Sequence, residues 1–593
     1  MTIRTRPRWW RVLAALTALL LLLAACGNDD STDDAQDDTT TDDTEPDSDG
    51  DDDSGDDSGD DSDGDEPQYG GSIEIGVEAE AGGYVPALTA TGTASATVDG
   101  AIYDALVIIN GEGQYEPFLA ESVEPNDDLS EWTITLRPDV EFHDGTPLDA
   151  EAIVWNYENL HRDPESLTAG TLDTAGVESV EAVDELTVVY RLSGPNAAFP
   201  DLLYGRIGMP VSPTAFEEMG LDAFSSAPVG TGPFVVEQWV RDDRIELTRN
   251  ENYWLTDEQG NQLPYLDEVV VRPIPDEDSR INTLLADDAQ VIHTTRGFAG
   301  KRIVEAADTG PYESNIAQGN IAGSSLFNTI SPPLDDVRVR AAMVMATSAD
   351  DVAVAQGYDG ITTPASQFVG VDSPWYSSAA EDAYPGSGGQ DLDAAAELLE
   401  EYINDPDRSD GQPVGSRLSV RYQCPPEASL QDMAVVLQSA WNEIGIDLEL
   451  VSVDQPTLIS NVIGGPDNGF SGDYDMSCWR TGSNNDPLNY LSGFFGPVES
   501  SVLNFVNFTD PGIDEALTTL RTSADFEERY EANEAINTIA NENVVVAWHI
   551  SYSSIVGWRD DLHDVSEWST PEGSPGRGNL AGRIWVHWIW MDQ

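Results

Sequence analysis

The chain has 593 residues, of which 109 are acidic and only 27 are lysine or arginine, so its formal net charge is −82 at neutral pH. A field of this sign argues against nucleic acid and anionic lipid surfaces as partners. Apolar residues make up 40 % of the chain, which is enough for a large folded body, and the length predicts two or three lobes rather than one core.

The first 25 residues have the pattern of a secretory signal peptide. Four arginines within the first 11 residues precede an apolar run, Val12 to Ala25, that is too short to span a bilayer. The run closes with Leu23-Ala24-Ala25-Cys26, which resembles the lipobox of bacterial lipoproteins. The resemblance implies cleavage before Cys26, lipidation of that cysteine and an anchor in the membrane. A plain signal peptide and an uncleaved anchor are the alternatives.

Residues 27–67 contain 21 acidic residues, no basic residue and no large apolar side chain. Such a segment cannot bury enough apolar surface to offset the loss of conformational entropy on folding. We therefore expect residues 26–67 to be a lipidated cysteine followed by a disordered acidic tether that holds the folded body away from the membrane.

The body begins with segments of alternating apolar and polar residues, which predict half-buried strands. Asp149 is placed to cap a helix that carries Ile153, Tyr157 and Leu160 on one stripe. The glycines of Pro228-Val229-Gly230-Thr231-Gly232-Pro233-Phe234 predict a tight loop before a hairpin. The strands predicted in this part of the chain are 71–77, 132–136, 186–192, 234–240 and 245–249.

Residues 417–453 predict the fold class by themselves. Alternating apolar residues give one strand from Leu418 to Tyr422, a helical apolar stripe runs from Met433 to Ile444, and Gly445 ends the helix before a second strand at 446–453. A strand, helix and strand of these lengths form a βαβ unit, which implies a parallel sheet with a right-handed crossover.

Several sequence blocks, in this order, resemble the family 5 extracellular solute-binding proteins, the peptide-, nickel- and oligosaccharide-binding subunits of ABC importers. The resemblance covers about 500 residues, although each block alone is a weak signal. One departure is Ala346-Thr347-Ser348-Ala349-Asp350-Asp351, where the family usually has an acidic-basic pair; here Ser348 is expected to cap the next helix instead. The blocks are 137–148, 228–234, 250–271, 327–346, 392–399, 434–446 and 504–517.

The resemblance implies an α/β periplasmic-binding-protein-like fold of type II, in the large form with three subdomains and a hinge between two lobes. The expected function is capture of a peptide-like or other polar solute by hinge closure and its delivery to a permease with ATPase subunits. A sensory lipoprotein, or a lipid-anchored glycosidase, is the alternative. We expect a monomer without cofactor or enzymatic activity on the outer face of the cytoplasmic membrane. The expected divisions are 68–318 for the first lobe, 319–542 for the second and 543–593 for the return to the first.

The candidate ligand site follows the strand Tyr474 to Cys478. Because ligands bind beyond the carboxyl ends of strands in α/β sheets, the next loop is expected to contact solute. Its candidate residues are Trp479, Arg480, Ser483, Asn484 and Asp486. Further candidates are Tyr84, Phe327, Asn328 and Phe368, and of all the candidates Trp479, Tyr84 and Phe368 could stack on a sugar or an apolar side chain.

The resemblance also gives Ser483 a specific meaning. Peptide-binding relatives place at this position an aspartate that pairs with the peptide's free amino group. Serine offers no counter-charge there, and Arg480 adds positive charge nearby, so a peptide held differently, an oligosaccharide or an anionic solute are all open.

The remaining cysteines and the histidines bear on other kinds of site. After lipidation of Cys26, Cys424 and Cys478 form an even pair, and their places at the ends of two strands of one sheet put them within disulfide reach. The six histidines are scattered without the spacing of metal ligands, so no metal site is expected.

Overall fold

The computed structural model describes residues 66–89, 95–463, 472–482, 485–497, 503–578 and 582–593. Cys26 and the acidic tether lie outside the described residues. Within the described ranges, no helix is both long enough and apolar enough to cross a lipid bilayer.

The strands alternate with helices along most of the chain. The strands are β1 Ser72–Val77, β2 Val107–Ile109, β3 Tyr115–Pro117, β4 Ala120–Pro125, β5 Glu131–Leu136, β6 Val177–Ala182, β7 Thr187–Leu192, β8 Phe234–Val240, β9 Arg244–Arg249, β10 Glu268–Pro273, β11 Val291–Thr294, β12 Tyr312–Phe327, β13 Leu418–Cys424, β14 Ile446–Ser452, β15 Met476–Gly482, β16 Val546–Arg559, β17 Leu562–His563 and β18 Trp590–Met591. The α-helices are α1 Ala96–Ile102, α2 Ala150–Asn156, α3 Ala169–Thr174, α4 Phe199–Tyr204, α5 Pro213–Met219, α6 Leu221–Phe224, α7 Glu277–Leu285, α8 Gly297–Thr309, α9 Val337–Met345, α10 Ala349–Gln356, α11 Ser378–Asp382, α12 Leu392–Ile403, α13 Ala428–Ile444, α14 Gln455–Ile463, α15 Pro487–Phe494, α16 Pro511–Thr522 and α17 Phe526–Glu542.

One ten-stranded sheet runs through the whole body in the order β14-β13-β15-β12-β16-β11-β1-β10-β9-β8. The strands β13, β14 and β15 on one side belong to the second lobe, and β11, β1, β10, β9 and β8 on the other side belong to the first. The long antiparallel strands β12 and β16 lie between these groups, and each serves both lobes.

The change of lobe occurs where the pairing of β12 with β16 is irregular. Residues 312–318 of β12 pair with 553–559 of β16. Residues 321–327 pair with β15, and residues within 322–326 pair with 546–551 of β16; the register shifts lie between Gln318 and Ser324. The change of pairing partner in β12 therefore coincides with the register shifts, opposite residues 551–553 of β16.

The first lobe carries an inserted subdomain with its own sheet. The strands β4, β5, β7 and β6 form a four-stranded antiparallel sheet in that order, and its apolar face packs against α2, α3 and α4 in a separate core. Together with the two lobes, this subdomain gives the three-subdomain form of the fold.

The local predictions agree with the elements observed. The Asp149 side chain accepts a hydrogen bond from the Ala152 amide at the start of α2, and Ser348 accepts one from the Asp351 amide at the start of α10. The predicted βαβ unit is β13, α13 and β14, with the two strands parallel and neighbouring.

The glycines of the Gly-Thr-Gly-Pro-Phe block permit a close approach between chain segments. A Cβ atom on Gly230 would lie 2.2 Å from the Ile102 carbonyl oxygen, and one on Gly232 would lie 2.5 Å from the Ala101 carbonyl oxygen. The Gly232 amide donates to the Ile102 carbonyl, so the loop is fixed against the end of α1. The block has a packing role in the first lobe, because any side chain at these two positions would collide with backbone.

Candidate functional site

The two lobes touch each other on both sides of the crossing strands. On one side, Lys301 Nζ of α8 lies 2.7 Å from Asp359 Oδ2, and Arg296 Nη1 lies 2.7 Å from Glu427 Oε1 at the start of α13. These pairs join the first lobe to the second through partly exposed side chains.

On the other side, the inserted subdomain and the C-terminal segment face the second lobe. Asn489 of α15 donates to Asp201 Oδ2 of α4 at 3.3 Å, and the Ala197 amide donates to the Arg521 carbonyl oxygen at 3.0 Å. The Arg577 guanidinium donates to the Asp372 carbonyl oxygen at 3.2 Å. The groups around these contacts form an inter-lobe face, which is the candidate binding site.

Arginines of the C-terminal segment lie near Tyr204 of the inserted subdomain at this face, and Arg206 follows Tyr204 in the chain. The end of α4 places Tyr204 beside the C-terminal segment, where the Arg583 guanidinium carbon lies 5.8 Å from the Tyr204 ring centroid and 5.0 Å from that of Trp585. A Cβ atom on Gly100 would lie 3.3 Å from Arg583 Nε, so the absence of a side chain in α1 leaves room for the guanidinium. We call Arg577, Arg583 and Arg206 the arginine cluster.

The electrostatic surroundings of the cluster are those of partly desolvated cations. Burial lowers the pKa of Arg577, against the opposing effects of Tyr204, Asp372 and Tyr115. Burial likewise lowers the pKa of Arg206, and nearby Asp99 opposes this. Among the ion pairs formed by the described residues, none involves Arg577 or Arg583. Since guanidinium groups stay protonated in proteins, both remain cations at this face.

Tyr115 and Asp201 complete the polar lining. The Tyr115 hydroxyl donates to Asp201 Oδ1 at 2.6 Å, while Asn489 donates to the other carboxylate oxygen. Burial raises the pKa of Tyr115 well above its usual range, and the charges of Asp201 and Asp486 add to the effect. Tyr115 is therefore a neutral hydrogen-bond donor, and both oxygens of Asp201 already accept hydrogen bonds from protein groups.

The structure places Trp479 and Arg480 in a strand rather than in the expected loop. The strand β15 continues to Gly482 because residues 476–482 pair antiparallel with β12. Trp479 is buried and its ring packs 5.1 Å from that of Phe505, whereas the Arg480 guanidinium lies 4.8 Å from the ring centroid of Tyr552 at the crossing. Ser483 and Asn484 lie outside the described residues.

Asp486 has a structural role inside the second lobe. Its Oδ1 accepts a hydrogen bond from the Leu488 amide and so caps α15, while Oδ2 lies 2.6 Å from Arg529 Nη2 of α17. The side chains of Asp486 and Arg529 are 1 % and 9 % exposed. Both carboxylate oxygens of Asp486 are therefore engaged by protein groups.

Four further candidates, Tyr84, Phe327, Asn328 and Phe368, lie in packed interiors. Phe327 and Phe368 are buried in the second lobe, and Phe368 packs at 4.8 to 6.0 Å from four aromatic rings. The Asn328 side chain donates to the Tyr474 carbonyl and accepts from Asn507. Tyr84 is buried in the first lobe against Trp239. An aromatic side chain and a position within a family-like sequence block do not by themselves distinguish a core residue from one that lines a binding site.

The residues of the inter-lobe face were missed because they are far apart in the chain. Arg206 follows α4 of the inserted subdomain, and Arg577 and Arg583 belong to the C-terminal segment. The sequence did carry one signal, which is the small number of basic residues. With 27 basic residues against 109 acidic ones, an arginine of the body is a candidate for a specific role.

The expected bridge between Cys424 and Cys478 is present. The cysteines join β13 to its neighbour β15, with their Cα atoms 5.0 Å apart. The disulfide lies in the second lobe, where Cys424 is the last residue of β13 and Cys478 is the third residue of β15. Among the described residues, no cluster of histidine, cysteine and carboxylate side chains is arranged to hold a metal ion.

Comparison with known sequences places this architecture among solute-binding proteins. The sequence profile described as bacterial extracellular solute-binding proteins, family 5 Middle, matches residues 114–501. The glutathione-binding protein GsiB of Salmonella paratyphi A is 30 % identical over 286 residues, which cover 47 % of this chain and 52 % of GsiB. The alignment thus spans about half the length of that relative.

Two further proteins extend the likeness over most of the chain. The nickel-binding periplasmic protein of Escherichia coli K12 is 24 % identical over 469 residues, covering 77 % of this chain and 84 % of that protein. The solved structure of AgaA from A. tumefaciens in complex with agropinic acid has a TM-score of 0.66 and 23 % identity, covering 88 % of this chain and 99 % of AgaA. The second likeness concerns the fold.

Proposed function

Because the chain belongs to the bacterial extracellular solute-binding proteins of family 5, we propose that it captures a polar solute between its lobes and delivers it to an ABC importer. The observation that carries the proposal is the inter-lobe face, where polar groups of the inserted subdomain and the C-terminal segment meet α15 of the second lobe. A solute held there touches both lobes at once.

The proposed mechanism is hinge closure. The lobes are linked by β12 and β16, and the irregular pairing between Gln318 and Ser324 is the place where these strands can bend. A solute that contacts both lobes favours the closed arrangement because only that arrangement offers all of its contacts. The closed, loaded protein then meets the permease and ATPase subunits, and the cycle needs no bond chemistry from this chain.

The names of the relatives give a first indication of the class of solute. Glutathione, nickel and agropinic acid in the relatives' names indicate that this fold holds small polar solutes of several kinds. We propose a peptide-like or other small polar solute here. Asp486 is engaged by Arg529, so the described part of the predicted loop offers no carboxylate free to pair with a peptide amino group.

The binding experiment uses the purified full chain. Mass spectrometry after denaturation identifies solutes that co-purify, and small-angle scattering with and without the identified solute measures closure. We expect a small polar solute released unchanged and a smaller radius of gyration in its presence. A solute recovered as a cleaved product would instead favour the glycosidase alternative, and the absence of any solute-dependent change would refute the proposal.

The proposed location is the outer face of the cytoplasmic membrane, held by lipid on Cys26. Replacing Cys26→Ala removes the acylated thiol, so we expect the variant in the soluble fraction and the unchanged chain in the membrane fraction of expressing cells. Equal retention of both on membranes would show that another part of the chain anchors it.

A further inference from the structure

We propose that Arg577 and Arg583 form a subsite for an oxyanion of the bound solute, so that the solute class is organic anions. The inference rests on the proposed function, since it assigns the charge of the molecule that the lobes enclose. It is carried by the position of the two guanidinium groups at the inter-lobe face and by what surrounds them there.

The first step is that an arginine without a carboxylate partner is unusual in so acidic a molecule. Acidic residues outnumber basic ones by 109 to 27, so a surface arginine has many possible carboxylate partners. Most arginines of the described body are indeed in ion pairs, as in Arg338 with Asp336 and Asp405, and Arg408 with Asp410. Arg577 and Arg583 are among the arginines in no ion pair of the described ranges, and both lie near Tyr204 at the inter-lobe face.

The second step is a comparison with an arginine that is buried for structural reasons. Arg340 also lacks an ion pair within the described ranges, but its guanidinium donates to the carbonyl oxygens of Leu334, Asn543 and Val544. Arg577 has one such acceptor, the Asp372 carbonyl, and Arg583 lies against the rings of Tyr204 and Trp585. A guanidinium has five N–H donors, so these two have donors left for a ligand.

The third step concerns the neighbouring carboxylates. Both oxygens of Asp201 accept hydrogen bonds from Tyr115 and Asn489. Asp99 acts on Arg206, and the Asp372 side chain is exposed, where solvent screens its charge. A carboxylate or phosphate of the solute would therefore meet two cations whose charge is not fully offset by the protein.

The chemistry of the subsite follows from the geometry of arginine. A guanidinium presents parallel N–H groups that match the paired oxygens of a carboxylate or phosphate, and such charge-assisted hydrogen bonds are about twice as strong as neutral ones. Aromatic rings beside Arg583 hold its plane in place, which lowers the entropy lost on binding. A free ammonium group would be repelled at the same place.

The experiment separates a bacterial growth extract of yeast extract and peptone by anion and cation exchange into anionic, neutral and cationic fractions. Thermal unfolding of the full chain is followed with each fraction, and solutes from any stabilising fraction are identified by mass spectrometry. We expect stabilisation by the anionic fraction, and the identified solute then serves as the probe in calorimetry. Phosphatase treatment of that fraction distinguishes a phosphate from a carboxylate.

The variants test the residues. Arg577→Gln should weaken binding of the identified anion by about tenfold or more, because it removes charge-assisted hydrogen bonds. Arg577→Lys should weaken it less, since the charge is kept. The matched control is Arg417→Gln, which removes an exposed arginine paired with Asp447 in the second lobe and should leave the affinity unchanged. Unfolding of each unliganded variant identifies any loss of folding.

Two outcomes would overturn the inference. Stabilisation by only the neutral or cationic fraction would show that the lobes enclose a solute of another charge, with the proposed function intact. Equal affinity of the anion for Arg577→Gln and the unchanged chain would show that the oxyanion binds elsewhere. Stabilisation by none of the fractions would count against solute binding itself, so the two failures are distinct.

Discussion

Arg529 and Arg583 are buried to the same degree, at 8 % and 9 % exposed, and differ in what surrounds them. Arg529 lies inside the second lobe, where Asp486 and the Leu520 carbonyl accept its hydrogen bonds and the Trp375 ring lies 5.1 Å away. Arg583 lies at the inter-lobe face against two aromatic rings, and no ion pair of the described residues includes it. The first arginine is neutralised by the fold, whereas the second is left with charge for a partner from outside.

The difference teaches that burial alone does not distinguish a structural arginine from a binding one. Both cations have lost water, and both stack on aromatic rings. What separates them is the presence of a carboxylate at hydrogen-bonding distance. In a molecule with so many acidic residues, a buried cation that lacks one is a more specific signal than an aromatic residue or a loop position.

The largest effect on stability should come from removing the carboxylate that neutralises Arg529. Asp486→Asn keeps the cap of α15, because asparagine also caps helices, but leaves Arg529 as a buried charge without its counter-ion. We expect the free energy of unfolding to fall by about 3–5 kcal/mol. The control Asp447→Asn removes an exposed pair with Arg417 and should cost about 1 kcal/mol or less. Denaturant unfolding of both variants measures the difference; similar small losses would mean that the Asp486–Arg529 pair is dispensable.

A buried histidine of the second lobe, His549, makes the free energy of unfolding depend on pH. His549 Nε2 lies 2.8 Å from Ser325 Oγ in the interior, and burial lowers the pKa of His549 to about 4. The unfolded chain, with a histidine pKa near 6.5, takes up the proton first as pH falls. Stability from neutral His549 is thus complete above about pH 6.5 and is lost below it, by about 2 kcal/mol at pH 5.

The measurement for His549 is the free energy of unfolding at pH 7 and pH 5 for the unchanged chain and for His549→Gln. We expect a smaller fall for the variant. His563→Gln, which changes a partly exposed histidine beside Asp592, is the control and should fall as much as the unchanged chain. An identical pH dependence in all three would show that His549 does not contribute.

The smallest effect should come from a cation that joins the lobes at the surface. Lys301→Met removes the partly exposed pair with Asp359, and we expect a loss of about 1 kcal/mol or less in low salt, with a smaller loss in 1 M salt. Unfolding at the two salt concentrations checks this. A loss comparable to that of Asp486→Asn would mean that contacts between lobes, rather than the interior of the second lobe, dominate stability.

The sequence predicted the fold in detail because its signals are local. Alternating apolar residues, a helical apolar stripe and Gly445 were sufficient to predict the β13–α13–β14 unit. Ser348 was sufficient to predict the start of α10. The end of β15 was misplaced since the pairing with β12, more than 150 residues away in the chain, extends the strand through Trp479 and Arg480.

The candidate site was predicted less well for the same physical reason. Asp201 and Asn489, and Arg577 and Asp372, meet only when distant parts of the chain have assembled, and no periodicity or motif links them. Asp486 has the residue type and loop position of a ligand contact, but its partner Arg529 lies 43 residues further on. The structural role of Asp486 therefore depends on a residue that is close only in the folded chain.

The path of the chain through β12 and β16 has a consequence for the order of synthesis. The strands β12, β13, β14 and β15 pair with one another through residues that all precede β16 in the chain. The first lobe must wait, because its core includes Val556, Trp558, Ile584 and Val586 from the end of the chain. Arg577 and Arg583 arrive with that same final segment. A nascent chain therefore acquires its anion-facing groups after all the strands of the second lobe, and a product that stops before residue 577 would lack the groups proposed to hold the solute.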